Sequence, residues 1–265
     1  MSLAIAIKGP EGVVLAADSR ITLEAKRPGG TPLAVNFDNA SKVLSFNKPH
    51  NNVGAVTYGA AVIGQRTAHS YIPEFEVDLK ADTPLKVLDF AQRLSEFYLA
   101  RWRGTLPEDY AGPSMVFVVG GYDPGAAYGK VFMLEIPNNP EPQEQNQNGF
   151  GMTWGGQLEI VSRLIHGFDP GLPETLREIL NLDDDQANLA FAGLRRKFEY
   201  PVPFQVLPLQ DSVNLAILLI RSTMSLQSLA VGLRGVGGQI EVAIIDRTTG
   251  LNYVQRKRIH GEEEP

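Results

Sequence analysis

The chain has 265 residues, a formal net charge of −6 and 43% hydrophobic residues, which favours one large domain over 1–265. The acidic balance argues against nucleic acid as the main partner. The absence of cysteine excludes disulfides, thiolate metal sites and a cysteine nucleophile. The sequence has no apolar run of about 18 residues and no secretory signal, so we expect a cytoplasmic protein that does not enter a membrane.

The first part of the chain is predicted to consist mainly of β-strands. Apolar or alternating runs predict four strands, at 3–7, 13–17, 42–46 and 53–58. A turn at 9–12 would join the first two strands in a hairpin. The turn-rich segment 23–40 is predicted to be a loop, and 59–72 a helix packed through small residues.

The second part of the chain contains further groups of strands and helices. Strands are predicted at 114–120, 130–136, 150–153, 240–246 and 251–254. Apolar periodicity predicts helices at 84–102, 158–166, 187–198 and 209–224. Thr83 and Pro84 suit the N-cap and the first position of the first of these helices. The polar segment 137–148 is predicted to be a loop, and residues from about 256 a solvated C-terminal tail.

The order of these elements points to the α+β fold class. Separate runs of strands and of helices are typical of α+β packing rather than of alternating β-α-β units. Two antiparallel sheets with helices outside both would fit this order.

The stretch GVVLAADSRIT, residues 12–22, ends a predicted buried strand with two charged residues, Asp18 and Arg20. Burying either charge without a partner costs free energy. One interpretation is a structural ion pair at the end of the strand. The other involves Ser2, because a small second residue permits removal of Met1 and would leave a serine at the terminus.

An N-terminal serine carries a hydroxyl and a free α-amine on one residue. It can therefore supply both a nucleophile and its base. An α-amine has an ordinary pKa of about 7.7 to 8.0, which suits a general base near neutral pH.

The segment from Ser2 to Arg20 resembles the start of a mature proteasome β-type subunit, a family that includes the bacterial HslV and Anbu proteins. In that family an Asp follows the terminal nucleophile at the sixteen-residue spacing that separates Asp18 from Ser2. The segment KVL at Lys42 resembles the strand that carries the family's catalytic lysine. The segment YGAA around Gly59 resembles the family's Gly-small-small turn.

This resemblance implies a four-layer αββα sandwich of the N-terminal nucleophile hydrolase type. It also implies hydrolysis of peptide bonds through an acyl-enzyme on Ser2. Lys42 would lower the pKa of the Ser2 hydroxyl, and Asp18 would hold the Lys42 ammonium in place. The backbone N–H of Gly59 would help to bind the oxyanion, and Arg20 would brace the loop after Asp18.

Several positions depart from the family pattern. The nucleophile is Ser2 where most active relatives have threonine. Gly155 stands where the family has a serine in a G-S-G turn. Leu233 and Val236 stand near the positions where the family has an Asp and a Ser. Ser222, in an S-T-M run similar to that of Anbu-like proteins, is a candidate substitute, as are Ser225 and Ser228.

The resemblance implies a homo-oligomeric ring or helical assembly that acts on peptides or unfolded proteins. Two alternatives stay open: a non-catalytic scaffold subunit of the same fold, and a transpeptidase that passes the acyl group to an amine. No cofactor or metal is expected, since the histidines lack metal-ligand spacing and the acidic run 183–185 is typical of a helix N-terminus. Ring size, substrate preference and any ATPase partner depend on surfaces that the sequence does not specify.

Overall fold

The computed structural model describes residues 2–25, 33–232, 234–259 and 261, which form several antiparallel sheets and a set of helices. The strands in chain order are β1 (Leu3–Lys8), β2 (Val13–Ala17), β3 (Ile21–Ala25), β4 (Leu33–Phe37), β5 (Val43–Ser45), β6 (Val53–Gly59), β7 (Val62–Ile63), β8 (Arg66–Thr67), β9 (Met115–Gly121), β10 (Lys130–Ile136), β11 (Asn139–Gln145), β12 (Gly151–Gly156), β13 (Glu241–Asp246) and β14 (Gly250–Gln255). The helices are a 3-10 helix at Ala68–Tyr71, α1 (Ile72–Leu79), α2 (Val87–Thr105), α3 (Glu159–Ile165), α4 (Leu172–Leu180), α5 (Asp184–Phe198) and α6 (Leu209–Leu229).

Two five-stranded antiparallel sheets form the framework. The first has the strand order β12-β1-β2-β13-β14, and the second has the order β11-β10-β9-β6-β5. The β3–β4 and β7–β8 pairs form two small separate sheets. Because β1 lies between β12 and β2, both of its edges are hydrogen-bonded, and this fixes the position of Ser2 immediately before it.

The alternation of side chains along β1 builds two parts of the core. Leu3, Ile5 and Ile7 pack on one face against the apolar sides of α3 and α6. Ala4 and Ala6 lie on the other face, in the apolar cluster between the two sheets. Successive side chains of a strand point to opposite faces, so one short strand serves both layers.

The outer face of the second sheet is covered by α1 and α2 through an aromatic cluster. Phe46, Phe75, Phe90 and Phe97 make edge-to-face contacts, and the closest pair, Phe46 and Phe90, has ring centroids 4.7 Å apart. Such pairs stabilise beyond their area burial by about 0.5–1.5 kcal/mol. The second sheet is therefore anchored on the helical side by large rings.

Most of the predicted strands and long helices are confirmed, with shifts of a few residues at their ends. The strands at 13–17 and 130–136 have the predicted bounds. The helix predicted from Pro84 begins instead at Val87, whose backbone N–H donates to the Asp123 carboxylate at 2.8 Å. The side chain that accepts a hydrogen bond at this helix N-terminus is therefore Asp123 and not the predicted N-cap residue, Thr83.

The predicted helix at 59–72 is wrong. Gly59 has φ +88°, in the left-handed region, and the chain then forms the β7–β8 hairpin and a 3-10 helix before α1 begins at Ile72. The small residues of this segment therefore form turns, not a helix-packing face.

The two predicted loops are also wrong where the structure describes them. The segment 23–40 contains most of β3 and all of β4, which pair from Ile21 opposite Phe37; residues 26–32 lie outside the described part. The segment 137–148 contains β11, an edge strand on which exposed and half-buried residues alternate. Its prolines are tolerated because an edge strand leaves some backbone N–H groups unpaired.

The helices after β12 include one that the sequence did not predict, α4. The acidic run 183–185 lies at the start of α5, as predicted, and Asp183 forms a capping box with Gln186. None of the helices in the described ranges combines the length and apolar character needed to cross a membrane.

We expect Ala6→Leu to lower the free energy of unfolding by about 1–3 kcal/mol, because the larger side chain overfills the space between the sheets. Urea unfolding measures the loss. Ala192→Leu on the exposed face of α5 is the matched control, with an expected change within about 0.5 kcal/mol. Equal effects of the two substitutions would contradict close packing around Ala6.

Candidate active site

Three of the predicted site residues, Ser2, Lys42 and Gly59, line one small cavity. Ser2 precedes β1 of the first sheet, whereas Lys42 precedes β5 and Gly59 ends β6 in the second sheet. Ser2 and Lys42 are both buried. The space that a water centre can occupy is ≈ 20 Å³, enough for about one water molecule.

Asp18 lies beside this cavity, fully buried, with four hydrogen-bond donors around its carboxylate. Oδ1 accepts from the backbone N–H of Leu3 at 2.9 Å and from Lys42 Nζ at 2.7 Å. Oδ2 accepts from the backbone N–H groups of Arg20 at 3.1 Å and Gly237 at 3.0 Å. An ionised carboxylate accepts only, so this environment matches its charged form.

The Lys42 ammonium is held in a low-dielectric position. Its side chain is 4% exposed, and burial lowers the pKa of Lys42, while the charge and hydrogen bond of Asp18 act in the opposite direction. A buried pair of this kind is costly to break, because the remaining charge is then buried without compensation. The ion pair between Lys42 and Asp18 that was expected from the sequence is present.

Arg20 does not pair with Asp18 through its side chain. Its guanidinium forms a fork to Asp38, with Nε to Oδ1 at 2.5 Å and Nη2 to Oδ2 at 2.7 Å, and Nη1 donates to the backbone oxygen of Arg234 at 3.0 Å. These bonds raise the pKa of Arg20 and lower the pKa of Asp38. Arg20 therefore ties the segment after β2 to the segment before β13.

The position of Ser2 is fixed by the end of β12. The backbone oxygen of Ser2 accepts from the N–H of Gln157 at 2.7 Å. Gly156 has φ +95°, and a Cβ at this position would lie 1.9 Å from the Ser2 oxygen. Only glycine fits, so the serine backbone is seated directly against the neighbouring strand.

Gly59 occupies the turn out of β6, at the wall of the cavity. The next residue, Ala60, donates its N–H to the backbone oxygen of Ser114 at 2.8 Å, which holds the turn against the chain before β9. The cavity wall continues through Ala60 and Ala61. Small residues therefore form this part of the cavity wall.

Tyr58, the first residue of the YGAA segment, lines the cavity, although the resemblance assigned no role to it. Its ring lies against Gly155, where a Cβ would be 2.0 Å from the ring carbon Cζ and 2.2 Å from the hydroxyl. Burial raises the pKa of Tyr58 to about 12, so the phenol stays protonated near neutral pH. The absence of a side chain at Gly155 thus makes room for the tyrosine from the other sheet.

The remaining predicted positions lie away from the cavity. On α6, Ser222 is half-buried and Ser225 and Ser228 are exposed. None of these three serines lines the cavity, so the structure does not bring them to Ser2. Val236 packs in the core beneath α6, and its N–H donates to Gln227 of that helix at 3.0 Å. Leu233 lies outside the described residues.

Within the described ranges no three His, Asp or Glu residues are grouped closely enough to hold a metal ion. The charged chemistry of the cavity in this part of the chain comes from Asp18 and Lys42.

Three solved structures are similar to the chain over nearly its whole length. An Anbu (Gly-1) mutant from Hyphomicrobium sp. strain MC1 matches with a TM-score of 0.57 at 16% identity, over 100% of this chain and 89% of that one. Anbu from the same strain gives 0.54 at 17% identity, over 99% and 89%. Anbu (ancestral beta-subunit) from Yersinia bercovieri gives 0.53 at 15% identity, over 95% and 86%.

The chain has the fold of the Anbu proteins. Anbu proteins are proteasome-like members of the N-terminal nucleophile fold group. At 15–17% identity the likeness concerns the fold alone. No protein-family model matches the sequence, and no curated protein is similar to it.

In this Anbu-like fold we expect Asp18→Asn to cost about 3–5 kcal/mol, because the buried Lys42 ammonium loses its countercharge. Loss of that charge also lowers the pKa of Lys42 further. The deficit should therefore shrink at alkaline pH, where a neutral amine no longer needs the carboxylate. Urea unfolding from pH 7 upward measures this dependence.

Asp38→Asn is the control for the preceding substitution. Its carboxylate also pairs with a cation, Arg20, but its side chain is 44% exposed. We expect it to cost only about 1 kcal/mol, as is usual for solvated pairs. Equal losses for the two variants would contradict the central role of the buried pair.

Gly155→Ala is expected to cost about 1–3 kcal/mol, because its methyl group would overlap the Tyr58 ring. In the double variant Gly155→Ala with Tyr58→Ala, this overlap is gone. The sum of the losses in the free energy of unfolding of the two single variants should then exceed the loss of the double variant. Simple additivity would show that the two residues are not in contact.

Proposed function

We propose that this chain is a proteasome-like peptidase subunit that hydrolyses peptide bonds through an acyl-enzyme on Ser2. In this proposal the chain is one domain with a four-layer αββα arrangement, and removal of Met1 leaves Ser2 at the terminus. Met1 itself lies outside the described residues. The Anbu-like fold supports the family level of this proposal.

One observation carries the proposal: the buried residues Ser2 and Lys42 line the same cavity, and the Lys42 ammonium is bonded to a fully buried carboxylate. A structural ion pair alone would not require a serine beside it. The serine backbone is in turn held by Gln157 and the Asp18 carboxylate binds the next residue, Leu3. These contacts support a site in which the Ser2 hydroxyl, the Lys42 ammonium and, after removal of Met1, the terminal amine act together.

The proposed reaction begins with transfer of the Ser2 hydroxyl proton to the Ser2 α-amine as the oxygen attacks the substrate carbonyl. The nearby Lys42 charge stabilises the developing alkoxide, and Asp18 orients Lys42. The ammonium of Ser2 then protonates the leaving amine as the peptide bond breaks and a serine ester forms. A water molecule, activated by the same amine, hydrolyses the ester and restores Ser2.

The proposed oxyanion donor is the backbone N–H of Gly59. Its place in the cavity wall supports the assignment. Loss of one such donor typically lowers the rate by about 10²–10³. The α-amine must be neutral to accept the proton, so activity should rise with pH through about 8.

The proposed substrates are peptides or unfolded chains, and the proposed assembly is a homo-oligomer. Exposed apolar residues on the α4 and α5 surface, Ile179, Leu180 and Leu189, support burial of this face between copies. A cytoplasmic location remains part of the proposal.

The proposal predicts a covalent adduct on Ser2. Protein with an intact mass that lacks Met1 is incubated with a peptide vinyl sulfone, and peptide mapping locates the modification. We expect one adduct per chain on Ser2 in the wild type and none in Ser2→Ala, because alanine lacks the attacking oxygen.

Ser225→Ala, an exposed serine on α6, is the matched control and should label like the wild type. Labelling of Ser2→Ala at the wild-type rate would refute the proposed nucleophile. Retention of Met1 in all copies purified from the native cell, with no adduct, would favour the scaffold alternative.

A further inference from the structure

A second buried carboxylate, Glu241, lies close to Lys42 and has no part in the reaction described above. Glu241 begins β13 and pairs with Ala17 of β2, the residue immediately before Asp18. Its side chain is 1% exposed, and neither carboxylate oxygen has a hydrogen-bond partner in the described part of the chain. A buried polar group in this condition costs free energy and calls for a functional explanation.

The charge of Glu241 acts on Lys42 as well as on the cations that follow β14. The negative charge of Glu241 raises the pKa of Lys42, in the same direction as Asp18. The backbone N–H groups of Lys42 and Val43 lie near the Glu241 carboxylate and lower its pKa, although neither reaches hydrogen-bond geometry. Burial is the larger effect and raises the pKa of Glu241.

The end of the first sheet supplies the other groups that face Glu241. Lys257 and Arg256, which follow β14, lower its pKa, and Tyr253 on β14 interacts with its charge. Lys257 Nζ also donates to the backbone oxygen of Asn39. The charged and titratable groups around Glu241 are therefore Lys42, Tyr253, Arg256 and Lys257, while Asp18 and Arg20 also act on Lys42.

We propose that Glu241 is a positioning residue that keeps Lys42 protonated during the reaction of Ser2, as a second carboxylate beside Asp18. This inference rests on the proposed function. The register places Glu241 opposite Ala17, the residue before Asp18, and the backbone N–H of Lys42 lies near its carboxylate. Neither Val236 nor the half-buried Ser222 offers a charge for this task.

The proposal explains why an unpartnered carboxylate is retained in the core. Glutamine would fill almost the same volume without the cost of a buried charge. We therefore expect Glu241→Gln to be at least as stable as the wild type at pH 8, and less able to hold a proton on Lys42.

The test measures the Lys42 ammonium directly by NMR of protein labelled with ¹⁵N-lysine, with Lys42→Met to assign its signal. In Glu241→Gln we expect the pKa of Lys42 to fall by about one unit, the lower end of the usual effect of a nearby opposite charge. The rate of Ser2 labelling should fall at alkaline pH as Lys42 loses its proton. In Glu241→Gln this fall should occur at a pH lower by the same amount.

Glu144→Gln is the matched control, because it makes the same change on β11, at the opposite edge of the second sheet from β5. It should leave the pKa of Lys42 and the labelling profile unchanged. Glu241→Leu, which also removes the charge, should act like Glu241→Gln and replaces it if that variant folds poorly.

The two proposals fail in different ways. An unchanged Lys42 pKa in both Glu241 variants overturns the role of Glu241, whatever Ser2 does. A shifted Lys42 pKa with an unmoved labelling profile overturns its role in the reaction. Absence of any Ser2 adduct in wild-type protein lacking Met1 overturns the proposed function, and with it the catalytic part of this inference.

Discussion

The buried carboxylate of Asp18 is the constraint on which the site depends. Its donors come from the start of β1, the residue before β5, the end of the β2 segment and the chain before β13. A carboxylate at the centre of these segments satisfies all of them at once, and none of its oxygens is left to water. The contact between the two sheets at this point therefore depends on the charges of Asp18 and Lys42.

Close approach between the sheets depends on small residues at the facing positions. Ala4 and Ala6 lie between the sheets, and Gly155 admits the ring of Tyr58. The resemblance to proteasome subunits leads to an expectation of a serine at Gly155. In this chain the space is taken by a protonated phenol from the opposite sheet, so the departure in sequence is matched by a different packing.

The sequence predicted the framework because its strongest signals are local. The buried strand at 13–17 and the amphipathic helix around 84–102 bury one face or both, and their periodicity shows this. The placement of Ser2, Asp18 and Lys42 near each other followed from the resemblance and from spacing. What these residues do stays a prediction.

Other features depend on contacts that no local pattern records. The N-terminus of α2 is set by Asp123, and the edge strand β11 has a polar composition typical of a loop. Tyr58 enters the site by packing across the two sheets against Gly155, and strand register places Glu241 opposite Ala17. Their importance appears only when both sheets are assembled.

The alternation of side chains along β1 also limits how far the spacing between Ser2 and Asp18 can change. A change of one residue between Ser2 and Lys8 would send Ile5 and Ile7 toward the space that alanines now occupy. A change of two would keep the faces but displace Ser2 by about 6.6 Å along the strand, away from Asp18. The number of residues between Ser2 and Asp18 is thus fixed by the pairing and alternation of the strands in the sheet.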